Sequence, residues 1–414
     1  MKPPAWFRPR SYLHLDMPVQ PAFAHNLTPA QVAAHVWSPL IHYVKTEKRY
    51  NVKQRKTLRK ERPIMFASHR DSCILSKYSA DLVARLDKWY AANGLDDTVI
   101  AYRALGRSNY HFAKKVEDFV RAHPSITVMC FDVSGFFDNL DHKRLKARLK
   151  WLLECDELEG DWFAVIKAVT RYRFIHLGEI KKHDDLAKRL RERKRHPLTT
   201  IAELKSLGVP IEKNPLPLGI PQGTPISASL SNLYMTEFDA DMQSEAAKRG
   251  ALYQRYSDDI LVACLPARQH VLKALVEEKL EEHGLQLQKA KSEVVTLHAP
   301  VSTLTFQYLG YQLGHVDARL RLKSLSRQWR TARRAIKKTE RVGKNAIKRG
   351  KAKQIFTRKL HMRFTGAGGR NFLAYTERSA ETLESPAIRK QAKKLRRYMQ
   401  AELRRLKSTQ KSKP

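Results

Sequence analysis

The chain has 414 residues, 42% of them hydrophobic, and carries 78 Lys and Arg against 41 Asp and Glu, a formal charge of +37. The apolar content excludes wholesale disorder. The charge calls for a polyanionic partner, with nucleic acid as the natural candidate and an anionic membrane surface as its competitor.

The remaining bulk features narrow the class. No run approaches the ~18 consecutive apolar residues of a membrane span. The start, Met1-Lys2-Pro3-Pro4, lacks the apolar core of a signal peptide. Cys73, Cys130, Cys155 and Cys264 form no CxxC or Cys/His zinc spacing. A reduced, cytoplasmic setting fits, with Cys130 and Cys264 packing as small hydrophobes in apolar runs.

In chain order, a polar and basic stretch over 45–62 leads into 63–67, which reads as a short strand. Residues 76–92 carry Leu82, Leu86, Trp89 and Tyr90 at helical spacing, and Asn93-Gly94 closes that helix. A second helix covers 108–122 and stops before Pro124. The β-rich run 126–131 reads as a central strand ending at Asp132. Residues 143–175 read as helical, and 181–213 as a charged, irregular connection.

A Pro/Gly loop over 215–223 precedes a helix, with Thr224 as its cap and Pro225 at its first position. Strands over 252–256 and 260–264 flank the turn Ser257-Asp258-Asp259. A helix over 270–283 ends at Gly284, and 294–297 and 306–313 are further strands. From Arg321 onward there are 30 Lys and Arg against 5 Asp and Glu, so two thirds of the excess charge sits in the last quarter. That region reads as a basic helix over 327–352, a flexible break at 365–369, and a helix over 386–406 whose core face is Leu395, Met399, Leu403 and Leu406.

The chemistry lies in three carboxylates. Asp258 and Asp259 repel each other at a hairpin tip unless a cation holds them. Asp132 ends a separate apolar strand, and two such strands side by side bring it against the pair. A cluster of that kind suits two Mg2+ ions ~3.5–4 Å apart, as in-line phosphoryl transfer needs. Asp138 and Asp141 compete for the role of Asp132 but follow in a turn-to-helix context that favours caps.

These residues resemble those of reverse transcriptases. FDVSGFFDNLDH at 131–142, IPQGTPIS at 220–227, RYSDDILV at 255–262, LQLQKAKS at 285–292 and FQYLGY at 306–311 are similar, in order and spacing, to five of the family's palm motifs over about 55–315. Arg62-Pro63-Ile64, Ala101-Tyr102-Arg103 and Ser108-Asn109 resemble fingers motifs.

The resemblance implies an α+β, right-hand polymerase: an N-terminal segment and fingers over 1–125, a palm of antiparallel sheet on helices over 126–315 with a connecting insertion at 150–215, and a basic helical thumb over 316–414. It implies catalysis by Asp132, Asp258 and Asp259, with the Val133 backbone joining them around Mg2+ (or Mn2+). It assigns Arg62, Phe137, Gln222 and Lys291 to the nucleotide, Phe137 as the steric gate against a 2′-hydroxyl. Tyr256, Tyr308, Leu309, Gly310, Arg330 and Arg334 fall to primer and template. Trp151, Trp162 and Trp329 are either base-stacking or core residues.

Within the family, the length, the FASHRDS segment at 66–72 and Ser108-Asn109 with Phe112-Ala113 resemble the compact, defence-associated type 2 class of bacteria. No residues remain for ribonuclease H, integrase or endonuclease domains, and retron signatures are missing. That class implies a non-coding RNA template, a cDNA product, dNTPs as substrates and no membrane partner. Template-independent or protein-primed synthesis, and a non-catalytic RNA-binding palm, are the competing readings.

Overall fold

The structure, a computed structural model, describes residues 2–51, 55–192, 196–299 and 303–408. The N-terminal segment leads into a long hairpin of β1 (Leu40–Asn51) and β2 (Lys56–Phe66), paired from Ile41↔Phe66 to Asn51↔Lys56. The sequence led us to expect only a short strand at 63–67. The outer part of β2 is polar and exposed, so it shows no apolar alternation to read. Pro63 is tolerated because β2 is an edge strand.

The helix His69–Ala92 starts seven residues before the expected 76. Two caps explain this. Ser68 Oγ accepts from Asp71 N, and the distant Asp16 carboxylate accepts from His69 N (2.8 Å) and Arg70 N (2.9 Å). The FASHRDS segment is therefore a helix start clamped by the N-terminal segment. The helix closes at Asn93, with Gly94 at φ +67° as expected.

The helix Asn109–Arg121 precedes β3 (Ser125–Asp132). Two helices follow, His142–Leu153 and Gly160–Thr170. Then β4 (Arg173–His176), expected as helix, joins β1 in parallel. The segment expected to be irregular contains the helices Asp184–Glu192 and Ile201–Ser206 and β5 (Glu212–Lys213). Its sparse apolar residues, Leu186, Leu198, Leu204 and Val209, close a small core with Ile41 and Ile175.

The 215–223 loop leads to the helices Ser227–Tyr234 and Thr236–Lys248. The first starts at Ser227 rather than at Pro225. Thr224 and Ser227 hydroxyls bond each other (2.5 Å), and Ser227 donates to Pro221 O, so they knit the loop instead of capping.

Strands β6 (Leu252–Tyr256) and β7 (Asp259–Cys264), then β8 (Glu293–His298), complete an antiparallel sheet in the order β6-β7-β3-β8. Both of its faces are buried. Met129, Phe131, Ile260 and Val262 join the large helical core, while Ile126, Val128, Leu261 and Ala263 face the other way. That second face is covered by β9 (Phe306–Tyr308), β10 (Tyr311–Leu313) and β11 (Arg319–Leu320).

The C-terminal quarter holds the helices Leu322–Lys348, Arg358–Phe364, Phe372–Thr382 and Pro386–Ser408. Leu395, Met399, Leu403 and Leu406 form its core face as expected. Only Ala332 and Ile336 of the 27-residue helix are buried. Trp162 is buried against Tyr78, a core role, and Trp329 packs on Tyr398 at the edge of the C-terminal core, whereas Trp151 contacts Trp89 but is 39% exposed. No helix among the described residues is long and apolar enough to cross a membrane.

Candidate active site

Asp132 is the last residue of β3 and sits opposite Asp259, the first residue of β7. Side chains alternate along a strand, so both carboxylates belong to the face covered by β9–β11. Beyond the strand end, Val133 N donates to Asp258 O (3.1 Å), and Gln288 N donates to Asp132 O (2.7 Å). The acid-bearing strand end is thus tied on both sides.

Tyr256 pairs with Asp259, which leaves Ser257 and Asp258 as a two-residue turn. Ser257 stands at φ +61°, a conformation that costs a non-glycine residue about 1 kcal/mol or more. Surrounding contacts hold it there. Tyr102 Oη donates to Ser257 Oγ (3.1 Å), and Arg255 Nη1 donates to Ser257 O (3.1 Å).

Arg255 is fully buried beneath the turn. It grips Asp239 in a two-pronged pair (2.7 and 2.6 Å) and also reaches Asn232 Oδ1. Tyr253 Oη donates to the same Asp239 carboxylate. Burial alone would weaken the Arg255 charge, but Asp239 outweighs it and raises its pKa. The sequence reading passed over Arg255 and Asp239, because the pair spans 16 residues with no local signal.

The acids open onto a cavity of about 900 Å3. Of the residues expected at the site, Arg62, Asp132, Tyr256, Asp258, Asp259, Lys291, Tyr308, Leu309, Gly310 and Arg330 all line it. Lys60, Arg321 and Arg327 line it too, and were not expected. Leu309 and Gly310 turn the chain between β9 and β10, at φ +46° and +95°. The Tyr308 hydroxyl is buried and donates to Gln254 Oε1, so only its ring edge serves the cavity.

Four expected residues lie off its walls. The Val133 side chain is buried. Arg334 is exposed elsewhere on its helix. Phe137 is half-buried, packed on the core and edge-on to Phe136. Gln222 donates to Asp138 Oδ1 (3.2 Å), and its carbonyl accepts from Met65 N (2.8 Å). Phe137 O accepts from Ile220 N, so the Phe137 turn, the 220–223 loop and β2 form one bonded unit. Glycine is required at 223: its φ is +115°, and a Cβ would lie 2.7 Å from Met65 O.

Residues 55–313 match the family model described as reverse transcriptase (RNA-dependent DNA polymerase). The chain belongs to the reverse transcriptase family. Among solved structures, it is similar to apo telomerase from Candida tropicalis truncated from its C-terminal domain (11% identity, TM-score 0.47, 73% of this chain and 61% of that one). It is also similar to telomerase from Candida albicans with a fragment of telomeric RNA (15%, 0.44, 72% and 48%). A third is an insertion-loop deletion mutant of the RNA-dependent RNA polymerase of a human picobirnavirus (11%, 0.42, 67% and 45%). The chain thus spans about half to three fifths of the length of these structures. No curated protein matched the sequence.

The three carboxylates of the candidate site act on one another. Asp259 touches water through the cavity, yet protein encloses most of its surroundings. That enclosure, then the charges of Asp258 and Asp132, raises its pKa to about 6 against the opposing pull of Arg321 and Lys291. Lys291 Nζ is ion-paired to Asp132 Oδ2.

Among the described residues, no three His, Cys, Asp or Glu side chains close into a metal-ligating cluster. The donor set still fits a hard divalent cation, since carboxylate oxygens on adjoining strand ends are its preferred ligands.

Proposed function

We propose that this protein is an RNA-directed DNA polymerase that extends a DNA primer on an RNA template. The observation that carries the proposal is the register placing Asp132 opposite Asp259, with Asp258 on the adjoining turn, beneath a cavity walled by cations. Asp132, Asp258 and Asp259 would hold two Mg2+ ions, or Mn2+ in their place, with the Val133 carbonyl as a further donor. Bound there, the ions supply activation of the primer 3′-hydroxyl and neutralisation of the triphosphate.

The chain's own groups do the rest. Arg62 binds the triphosphate from β2, and Lys291 leaves Asp132 to meet the phosphates or to protonate the leaving group. Gln222 and Phe137, fixed in one bonded unit with β2, flank the sugar, and the Phe137 ring disfavours a 2′-hydroxyl. Tyr256, Tyr308, Leu309 and Gly310 position the primer end. Arg330 and Arg334 lie on a long, basic helix of which only Ala332 and Ile336 are buried, suited to duplex phosphates. In this reading, 1–125 serves as N-terminal segment and fingers, 126–315 as palm with its 150–215 insertion, and 316–414 as thumb.

We further propose that the template is a dedicated non-coding RNA and the setting bacterial anti-phage defence. The segment at 66–72 and the pattern around Ser108-Asn109 support that class. The test is to purify the protein with its nucleic acid, add Mg2+ and dNTPs, and sequence the product. Ordered copies of one co-purified RNA, abolished by Asp258→Asn, are expected. Random sequence would point to untemplated synthesis, and no DNA would end the proposal.

A further inference from the structure

A second cavity, of about 510 Å3, shares no lining residue with the acidic one. Its volume lies within the roughly 300–1,000 Å3 of small-molecule sites. Leu40, Ala67, Leu75 and Val169 give it an apolar floor. Trp37, Phe163 and Tyr172 add aromatic surface, and the Phe163 ring is 45% exposed. The Trp37 indole Nε1 is buried without a hydrogen-bond partner, a donor that lacks its acceptor.

The rim is cationic. Lys167, Arg171, Arg173 and Lys213 line it, and none has a carboxylate partner among the described residues. Arg144 and Arg148, by contrast, are both paired with Glu237. The single carboxylate in the second cavity, Asp71, is already satisfied by His35 Nε2 (2.7 Å) and Ser38 N (3.0 Å). The charge facing an occupant is therefore positive.

An aromatic lining and a cationic rim without carboxylate partners are complementary to one kind of ligand. The base of a nucleotide stacks on aromatic rings, and its phosphate meets guanidinium and ammonium groups. We propose that this cavity is a nucleotide-binding site separate from the polymerase centre. Its base lies among Trp37, Phe163 and Tyr172, and its phosphate lies on Arg171, Arg173 and Lys213. An occupant touches Pro221 and Thr224, the residues that bracket Gln222 and Gly223. The same chemistry is offered by an unstacked nucleotide of an RNA strand or by a free nucleoside triphosphate. Only the RNA source rests on the reading of the chain as an RNA-directed polymerase.

The test uses the full chain and two exposed-site variants, Arg171→Glu/Arg173→Glu and Phe163→Ala. One arm photo-crosslinks a single-stranded RNA carrying 4-thiouridine and maps the adducts. The other titrates ATP and dATP against tryptophan fluorescence. Adducts on the aromatic wall, with RNA affinity about tenfold weaker in the charge-reversed variant, identify an RNA nucleotide. Quenching by free nucleotide that the same variants weaken about tenfold identifies the mobile source. Extension of a pre-annealed template–primer by both variants should stay within about twofold of wild type. Adducts only outside the cavity, together with nucleotide binding unchanged in both variants, overturn the proposal. If the wild type makes no DNA but still binds through the cavity, the polymerase reading fails and this one stands.

Discussion

The β6–β7 hairpin lies inside a four-stranded sheet with apolar side chains on both faces, and its turn rests on a fully buried Arg255–Asp239 pair. The β1–β2 hairpin reaches the same cavity from the other side, but the outer part of β2 is exposed and largely polar. Its charged groups on the cavity wall are Lys60, Arg62 and Glu47, and Arg62 lies 3.7 Å from the Glu47 carboxylate. The difference follows from what each hairpin holds. In the proposed polymerase, repelling carboxylates would need a rigid frame to stay together, whereas cations meeting a triphosphate would gain from reach and adaptability.

The sharpest way to break the comparison is to remove the frame. Arg255→Met strands the Asp239 carboxylate in the core and should cost about 3–5 kcal/mol of stability. Adding Asp239→Asn removes the orphaned charge and keeps an acceptor for Tyr253, so most of that stability should return, as read by urea midpoints. Primer extension should still fall about 100-fold, because Ser257 O has lost the donor that sets the turn. A stable double variant with wild-type activity would show that the pair serves folding alone.

The second way acts on the adaptable hairpin. Arg62→Ala should leave stability unchanged and raise the KM for dNTP about tenfold, with a smaller effect on kcat. A stability loss on the scale of Arg255→Met would mean the two hairpins are not built differently.

How legible all this was in sequence depended on where the partners lie. The palm strands could be read because their apolar runs are continuous and end in Asp132 and Asp259. The final helix could be read because Leu395, Met399, Leu403 and Leu406 repeat at helical spacing. The outer part of β2 could not, since its exposed side chains carry no period. The early start of the helix His69–Ala92 depends on Asp16, more than 50 residues away. Among the site residues, the motif-borne acids were found, while Arg255 was hidden because its partner Asp239 lies on another element. Phe137 and Gln222 were named but stand off the acidic cavity's walls, since packing and the Asp138 contact decide their place.

The Phe137 carbonyl is bonded to the loop that bonds β2, and in the proposed polymerase its ring is the steric gate, so its size should matter for sugar choice rather than for rate. Phe137→Val should raise ribonucleotide incorporation relative to deoxynucleotide by roughly 10–100-fold, measured as a ratio of kcat/KM. An unchanged ratio would move the gate to another residue.

The smallest expected effect concerns the base of the β1–β2 hairpin, where the end of β2 meets the N-terminal segment. His14 is buried, accepts from Leu15 N at Nδ1, and bonds Phe66 O through Nε2 (3.2 Å), which requires the neutral ring with its proton on Nε2. Burial lowers its pKa to about 4, assisted by His69 and opposed by Asp16 and the Phe66 carbonyl. The unfolded chain, with a normal imidazole, binds the proton more readily than the folded one. The stability this site contributes is therefore full above pH ~6.5 and is lost as pH falls from there toward 4. Between pH 7 and pH 5.5 the loss should be roughly 1 kcal/mol. His14→Gln keeps a side-chain donor but cannot titrate, so its urea midpoint should fall less over that interval by the corresponding amount. Equal pH dependence in the two proteins would mean that His14 is already open to water.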